Sequence, residues 1–346
     1  MSPTRLDGAR LSIVTHRPLN AEPPLTALDP GTTPLDAFYV RSNFPAPELD
    51  AASWRLRLHG RVRKPATLSL DDLRTFPEVT RRVTLECAGN GRKGVEPIPP
   101  GTPWGLGAAG TGDFTGVRLR DVLTAAGVAD DAVACVFTGA DAGEVEDGSR
   151  VRFQRSLPLE EALDDGPLLA WAMNGEPLTR DHGHPVRLVV PRWYAVASVK
   201  WLVGVEVADR PFEGWFQTDR YMYRREGHAS PVTTMRVRSL LTSHADGARV
   251  PAGVVRIGGI AWSGEAPIAR VELQVDDGPW TSARLTGSSE PGLAVGWEWD
   301  GTLAPGTRRL GVRAVDGRGR GQPERSAWNE LGYGNNGIHR IRLAVD

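Results

Sequence analysis

Apolar and polar residues alternate along much of this chain in short runs, which is the spacing of β-strands. Val83, Leu85 and Cys87 alternate with Thr84 and Glu86, and this pattern predicts a half-buried strand that carries the cysteine into a loop. Further strands are predicted at 54–60, 134–138, 168–173, 186–190 and 199–207.

Helical patterns are few and short. Ser69, followed by Asp71 and Asp72, predicts a capped helix start. The apolar positions of 119–126 lie on one helical face, and Gly127 ends it. Because helices and strands do not alternate in a βαβ rhythm, the first part of the chain is predicted to be α+β.

The pattern changes near residue 228. Short alternating runs separated by Asp-Gly, Ser-Gly and Pro-Gly turns predict a β-sandwich, with strands at 254–262, 268–275, 295–299, 310–314 and 341–345. The expected organisation is an irregular N-terminal arm at 1–35, a catalytic or binding domain at 36–227, and the sandwich at 228–346.

Composition narrows the class of protein. The net charge of the 346 residues is −1 and no long basic run occurs, which argues against nucleic acid or a membrane surface as the main partner. No apolar stretch is long enough to span a bilayer, and residues 1–24 lack the pattern of an export signal. A soluble cytoplasmic protein is expected.

Two cysteines are too few for a disulfide framework. Cys135 lies in an apolar run and is expected to pack in the core. Cys87 is followed by Gly89-Asn90-Gly91, whose backbone can adopt positive φ and converge on a ligand. The residues alone leave three roles open for Cys87: a nucleophile with a histidine base, a ligand of a soft metal, or packing.

A second polar stretch runs from 174 to 187. Its His182 and Arg187, with Lys200 further on, place cationic groups near predicted strand ends. Such groups could bind a phosphate-bearing cofactor, or they could be solvated loop charges. The pattern does not separate these alternatives.

These two stretches resemble a known family. Residues 84–92, Thr-Leu-Glu-Cys-Ala-Gly-Asn-Gly-Arg, resemble the molybdenum-cysteine motif of the sulfite oxidase family, and 173–187 with 199–202 resemble its second hallmark. Similar segments include 117–123, Trp104 and the tail at 328–340. The resemblance covers nearly the whole chain from about residue 36.

The resemblance implies a sulfite oxidase-type molybdopterin-binding domain followed by an all-β immunoglobulin-like dimerisation domain. Cys87 would bind molybdenum, and Arg41, Arg92 and Trp104 would form an oxyanion pocket beside the metal. Contacts to the molybdenum cofactor are implied for Tyr39, Val40, Arg41, Ser42, Asn43, Asp141, His182, Arg187, Ser198, Val199 and Lys200.

The function implied is molybdenum-dependent oxygen-atom transfer, with oxidation of sulfite to sulfate as the first expectation and reduction of a small S-oxide or N-oxide as the alternative. No haem is expected, so electrons would pass to an external carrier, and the sandwich would form a homodimer. A non-enzymatic binding or assembly protein and a cysteine hydrolase are the rival classes.

Two positions depart from the family pattern. Phe153 is interpreted as replacing a tyrosine of the sulfite-oxidising members, and Leu331 as replacing an arginine near their C-terminus. The expectation is therefore a pocket that lacks one hydroxyl and one anion contact, which would favour the S-oxide or N-oxide alternative.

Overall fold

The computed structural model describes residues 10–29 and 31–346. Strands β1 (Ser12–His16) and β2 (Leu19–Glu22) form an antiparallel hairpin within the arm that is predicted to be irregular. The difference arises from long-range contacts, because Ala21 bridges to Val40 and the Glu22 carboxylate accepts bonds from two backbone amides of the loop near residue 106. Residues 1–9 of the expected arm lie outside the described part.

Two five-stranded sheets form the body of the first domain. One has the order β4-β3-β12-β7-β8, and the other has the order β10-β9-β6-β5 with β11 also paired to β9. Their bounds are β3 Leu56–Gly60, β4 Ala66–Leu68, β5 Glu78–Glu86, β6 Ala109–Arg118, β7 Ala134–Glu144, β8 Arg150–Pro158, β9 Leu168–Met173, β10 Glu176–Pro177, β11 Arg187–Val189 and β12 Leu202–Ala208.

The α-helices are short: α1 Leu70–Leu73, α2 Leu119–Ala126, α3 Leu159–Ala162 and α4 Trp215–Thr218. Ser69 caps α1 in a capping box with Asp72, as its sequence predicts. Helix α2 buries the apolar face predicted for it and ends at Gly127, whose φ of 71° is the left-handed conformation that glycine adopts most easily. None of the described helices is long and apolar enough to cross a membrane.

After the small hairpin of β13 (Met222–Arg225) and β14 (His228–Pro231), the chain enters the predicted sandwich. Its eight strands have the order β15-β17-β20-β19-β18-β21-β22-β16 and enclose one apolar core. The bounds are β15 Arg238–Leu241, β16 Ala248–Val250, β17 Gly253–Trp262, β18 Ile268–Val275, β19 Trp280–Leu285, β20 Val295–Leu303, β21 Gly306–Asp316 and β22 His339–Val345. The α+β domain followed by an all-β sandwich confirms the predicted fold class.

Candidate active site

Cys87 follows the last residue of β5 directly and begins a tight loop. Its amide donates to the Ala108 carbonyl (2.9 Å), and its carbonyl accepts a bond from the Asn90 amide (2.9 Å). Gly91 has a φ of 83°, which an L side chain rarely adopts. These bonds fix the sulfur at the end of the strand, where the residue is only 5% exposed.

Burial raises the pKa of the Cys87 thiol, and the nearby guanidinium groups of Arg41 and Arg92 only partly oppose this effect. The free side chain is therefore a thiol at neutral pH. A soft metal ion would remove its proton on binding.

The cysteine borders a cavity that is lined by residues from both five-stranded sheets and has about 650 Å³ of empty space including its open mouth. Nine of the predicted cofactor-binding residues line this cavity: Tyr39, Arg41, Ser42, Asn43, Asp141, His182, Arg187, Ser198 and Lys200. Val40 and Val199 lie beside it, fully buried, and hold the wall through backbone bonds to Ala21 and Leu188.

Arg187 and Lys200 bring buried positive charge to this cavity. Arg187 donates to the carbonyls of His182 (3.1 Å) and Ser198 (3.2 Å), but its Nε has no partner among the described residues. Burial lowers the pKa of Arg187 to about 10 and also lowers the pKa of Lys200. An anionic group bound here would compensate the desolvation of both cations.

Asp141 supplies a buried acid near the two cations. It lies in β7 where the pairing with β8 shifts register between Thr138 and Ala142, a bulge that separates it from the regular ladder. Burial raises the pKa of its carboxyl against the opposing effect of Lys200, and its Oδ1 has no hydrogen-bond partner in the part of the chain that the structure describes. Within the described residues, Asp141 Oδ1 is thus an unsatisfied hydrogen-bond acceptor and Arg187 Nε is an unsatisfied donor. Together they fit a ligand that carries both donors and acceptors, as a pterin with a phosphate does.

A metal at Cys87 would need further ligands from outside the protein. Among the described residues, no group of three His, Cys, Asp or Glu side chains could hold a metal ion. A metal carried by a sulfur-rich cofactor fits a single thiolate ligand.

His182 is fully engaged by the protein. Its Nδ1 lies 2.8 Å from Thr179 Oγ1 and its Nε2 lies 3.3 Å from the Phe38 carbonyl. Since a carbonyl can only accept, Nε2 carries the proton and Nδ1 accepts from the threonine hydroxyl. This histidine is thus not free to serve as a base for Cys87, which argues against the cysteine hydrolase.

We expect His182 to make protein stability depend on pH. Burial, followed by the charges of Lys200 and Arg187, lowers the pKa of His182 to about 3. The unfolded chain binds a proton near pH 6.5, so the free energy of unfolding falls as the pH drops below this value, by up to about 1.4 kcal/mol per pH unit. Denaturation between about pH 6.5 and 5 should show a shallower dependence for His182→Gln, whereas equal slopes for wild type and variant would contradict the assignment. The exposed His228, changed to glutamine, is the control.

A second cavity also borders Cys87 and has about 980 Å³ of empty space including its mouth. All three predicted oxyanion-pocket residues line it: Arg41, Arg92 and Trp104. Cys87, Arg41, Asn43 and Tyr221 border both cavities. The sulfur therefore lies where the contents of the two cavities would meet.

The guanidinium groups of Arg41 and Arg92 are held in place by protein oxygens. Arg92 donates to the carbonyls of Thr102 (2.7 Å) and Leu331 (3.0 Å) and lies 5.2 Å from the ring centroid of Tyr333. Arg41 donates to the Ser42 carbonyl and the Asn43 side chain. These contacts fix two positive charges beside Cys87.

The prediction of a pocket without a tyrosine hydroxyl is wrong. Phe153 lines the first cavity and packs against Phe216, but Tyr221 places its hydroxyl 3.3 Å from Arg41 Nη2 and 3.2 Å from Asn43 Nδ2. Tyr221 has a φ of 56°, an uncommon backbone conformation for a residue with a side chain, and is 4% exposed. Its place in the sequence gives no signal of this, because a positive φ at a non-glycine residue leaves no pattern.

The expected loss of an anion contact at Leu331 is offset only in part. The Leu331 carbonyl accepts from Arg92, while a third arginine, Arg220, lines the second cavity and pairs with Glu146 at its wall. Tyr333, which stacks on Tyr221 with ring centroids 5.0 Å apart, adds a second hydroxyl. Arg220, Tyr221 and Tyr333 are not among the site residues predicted from the sequence.

Comparison with known proteins agrees with this geometry. The family model "Oxidoreductase molybdopterin binding domain" matches residues 43–216, and "Mo-co oxidoreductase dimerisation domain" matches 229–346. The chain is 36% identical to the sulfite oxidase of Gallus gallus, over 98% of this chain and 78% of that protein. It is also 36% identical to the mitochondrial sulfite oxidase of Macaca fascicularis, over 97% of this chain but only 66% of the length of that protein.

A solved structure is similar over the same extent. The fold matches the crystal structure of the sulfane dehydrogenase SoxCD from Paracoccus pantotrophus with a TM-score of 0.84 and 31% identity, covering 99% of this chain and 88% of that one. The similarity therefore includes both domains and the connection between them.

Proposed function

Because this chain belongs to the sulfite oxidase family of molybdopterin-dependent oxidoreductases, we propose that it oxidises sulfite to sulfate at a molybdenum–molybdopterin cofactor and passes the electrons to an external carrier. The second cavity carries this proposal. It brings Arg41, Arg92 and Arg220 to a wall shared with Cys87. The guanidinium groups of Arg41 and Arg92, which donate to neutral carbonyl and amide oxygens, suit a small dianion, since charge-assisted hydrogen bonds are roughly twice as strong as neutral ones; the charge of Arg220 is compensated by Glu146. The non-enzymatic alternative is set aside, because the family is one of oxidoreductases.

We assign the first cavity to the cofactor. Cys87 would bind the metal, Arg187 and Lys200 would hold the anionic end of the pterin, and Ser42 and Asp141 would bond its polar edges. Lys200 Nζ is held 3.2 Å from Ser42 Oγ and 2.7 Å from the Asp181 carbonyl, so its charge is oriented before the cofactor binds. Bound there, the cofactor would supply the two-electron redox chemistry and the oxygen-atom transfer.

The protein's own part in the reaction is binding and orientation. Arg41 and Arg92 would hold the substrate oxyanion beside the sulfur of Cys87. The Tyr221 hydroxyl, already bonded to Arg41, would orient one oxygen, and the fully buried Trp104 lines the same cavity. The external carrier would take electrons one at a time after the product leaves.

Reduction of a small S-oxide or N-oxide is the second candidate. The second cavity has space well beyond a sulfite ion and an aromatic wall that includes Trp215 and Phe216. Such a wall favours a substrate with an apolar substituent. Oxidation of a sulfane sulfur compound, which the name of the Paracoccus protein specifies, is a related candidate.

A substrate panel with artificial electron carriers tests the proposal. Sulfite, thiosulfate, nitrate, methionine sulfoxide and trimethylamine oxide would be compared at equal molybdenum content. We expect sulfite oxidation to have the highest kcat/KM by at least about tenfold, a difference of about 1.4 kcal/mol in the barrier. If the protein turns over only the S-oxide or N-oxide, it is a reductase of these compounds and the proposal of sulfite oxidation is wrong.

Tyr221→Phe tests the hydroxyl that the sequence did not reveal. The variant loses the bonds to Arg41 and Asn43, so we expect kcat/KM for sulfite to fall by about tenfold while cofactor content stays unchanged. Tyr223→Phe is the matched control, because the Tyr223 hydroxyl has no hydrogen-bond partner within the described ranges and lines neither of these cavities. Equal kinetics for both variants would show that Tyr221 only packs.

We further propose a homodimer formed through residues 229–346. The family model that matches this range describes it as a dimerisation domain. Light scattering of the purified protein should give twice the monomer mass of 37.4 kDa, and a monomer at micromolar concentration would contradict this.

A further inference from the structure

A buried carboxylate lies directly before the cysteine. Glu86 is 1% exposed and accepts three hydrogen bonds. Its Oε1 receives Arg238 Nη1 at 2.5 Å and Asn90 Nδ2 at 3.2 Å, and its Oε2 receives Trp262 Nε1 at 2.9 Å. Arg238 and Trp262 pair with each other across β15 and β17. Two adjacent sandwich strands thus hold the carboxylate that precedes Cys87.

The same domain also holds the far side of the cysteine loop. The Asn90 carbonyl accepts from Arg238 Nη1 (3.4 Å) and from Asn335 Nδ2 (3.3 Å), and the Ala88 carbonyl accepts from the Gly334 amide (2.8 Å). A side chain at Gly91 would come within 2.8 Å of Arg238 Nη2. Loop residues on both sides of Cys87 are therefore fixed by the sandwich as well as by their own domain.

The positive charge of Arg238 is central to the contact between the sandwich and the cysteine loop. It is 3% exposed, and its guanidinium compensates the Glu86 carboxylate, one residue from the sulfur. Removing one partner of a buried ion pair leaves an uncompensated charge, whereas removing both charges together costs far less. The loop position thus depends on the pair and not on either group alone.

We propose that Arg238 is a positioning residue of the active site: acting through Glu86 and Asn90, the sandwich domain sets the position and the electrostatic surroundings of the Cys87 sulfur. The domain assigned to dimerisation then also takes part in preparing the metal site. This rests on the proposed role of Cys87 as metal ligand, but the position of its sulfur can be measured without the cofactor.

Alkylation of Cys87 in the apoprotein, followed by mass spectrometry at each cysteine, provides that measurement. In Arg238→Met the loop loses contacts that fix its position, and we expect Cys87 to react at least about fivefold faster when the rates are compared per thiolate, since only the thiolate is alkylated. Cys135 is fully buried in β7 and reports global unfolding; its rate should stay unchanged. In the double variant Glu86→Gln/Arg238→Met no buried charge is left unpaired and the amide oxygen can still accept from Trp262 Nε1, so the rate should fall below that of the single variant and return toward wild type.

Thr84→Val is the matched control. Thr84 lies on the same strand and its hydroxyl accepts an inter-domain bond from the Ala294 amide (2.8 Å), but its hydrogen bonds do not reach the loop. In this variant we expect the alkylation rate of Cys87 to stay within about twofold of wild type. A rate in Arg238→Met no faster than in Thr84→Val, or a double variant faster than the single one, would overturn the proposal. If Arg238→Met does not fold, Trp262→Phe replaces it. This variant loses one hydrogen bond to Glu86, and we expect its Cys87 to be alkylated at least about twofold faster than in wild type.

The loaded enzyme gives a second readout. In Arg238→Met we expect the thiolate-to-metal absorption band to shift and kcat to fall at least about tenfold with KM changed less than about twofold. An unshifted band and unchanged kcat would leave Arg238 as an ordinary inter-domain contact. Wild-type protein without molybdenum would refute the proposed function, while the alkylation rates would still decide the position of the sulfur.

Discussion

We expect Cys87→Ser to abolish turnover while leaving the fold intact. A serine hydroxyl is nearly isosteric with the thiol, but it is a hard ligand that a soft metal centre deprotonates less readily. We expect kcat/KM with any substrate to fall at least about 10³-fold, which corresponds to about 4 kcal/mol of lost transition-state stabilisation. Steady-state kinetics at equal protein concentration, together with circular dichroism of both proteins, measures this.

Cys135→Ser is the control for this substitution. Cys135 is completely buried in β7, and burial alone raises the pKa of its thiol to about 12. A serine there costs stability, about 1–3 kcal/mol for a buried hydroxyl without a partner, but should leave turnover per molybdenum unchanged. Retained activity in Cys87→Ser, or equal losses in the two variants, would refute the role of Cys87 as metal ligand.

Arg187→Met separates cofactor binding from folding. The substitution removes a buried cation whose Nε has no partner within the described ranges, and a hydrogen bond to a charged group contributes about 1.5–3 kcal/mol. We expect the cofactor to be bound about 10–100-fold more weakly, in line with the loss of one such bond, so that dialysis removes more of it. The apoprotein should unfold at nearly the same temperature, because relief of a desolvated charge offsets the loss of two bonds to carbonyls.

Arg180→Met is the matched control for Arg187. Arg180 lies in the same polar stretch, but its side chain is 41% exposed and bonds to the carbonyls of Ala46 and Pro47 outside both cavities. Molybdenum and pterin content by mass spectrometry and thermal unfolding of the apoproteins would be measured for both. Equal cofactor loss in the two variants would show that Arg187 acts only through the fold.

Local patterns are sufficient to predict the elements that carry the site. The alternation up to Cys87 predicts the end of β5. The apolar face of α2 follows from a period of 3.6 residues, and the strands of the sandwich follow from a period of 2 residues between turns. Motif resemblance then brings together Arg41, Asp141, His182, Arg187 and Lys200, all of which line one cavity. Each of these signals lies within a few residues of sequence.

The parts that sequence analysis missed depend on contacts between distant segments. Tyr221 reaches Arg41 across 180 positions, and Arg238 reaches Glu86 across 152. The interpretation of Phe153 depends on its spacing to Ser156, and no local pattern could show that Tyr221 supplies the hydroxyl instead. Such pairings are set by how the two sheets and the sandwich pack, which one sequence without its fold does not specify.

The most direct test of the central claim is the molybdenum content of protein made in a host that synthesises molybdopterin. Metal analysis by inductively coupled plasma mass spectrometry would be paired with release of the pterin as its fluorescent oxidation product. The account predicts about one molybdenum and one pterin per chain in the wild-type protein. Wild-type protein that folds but contains neither molybdenum nor pterin would contradict it.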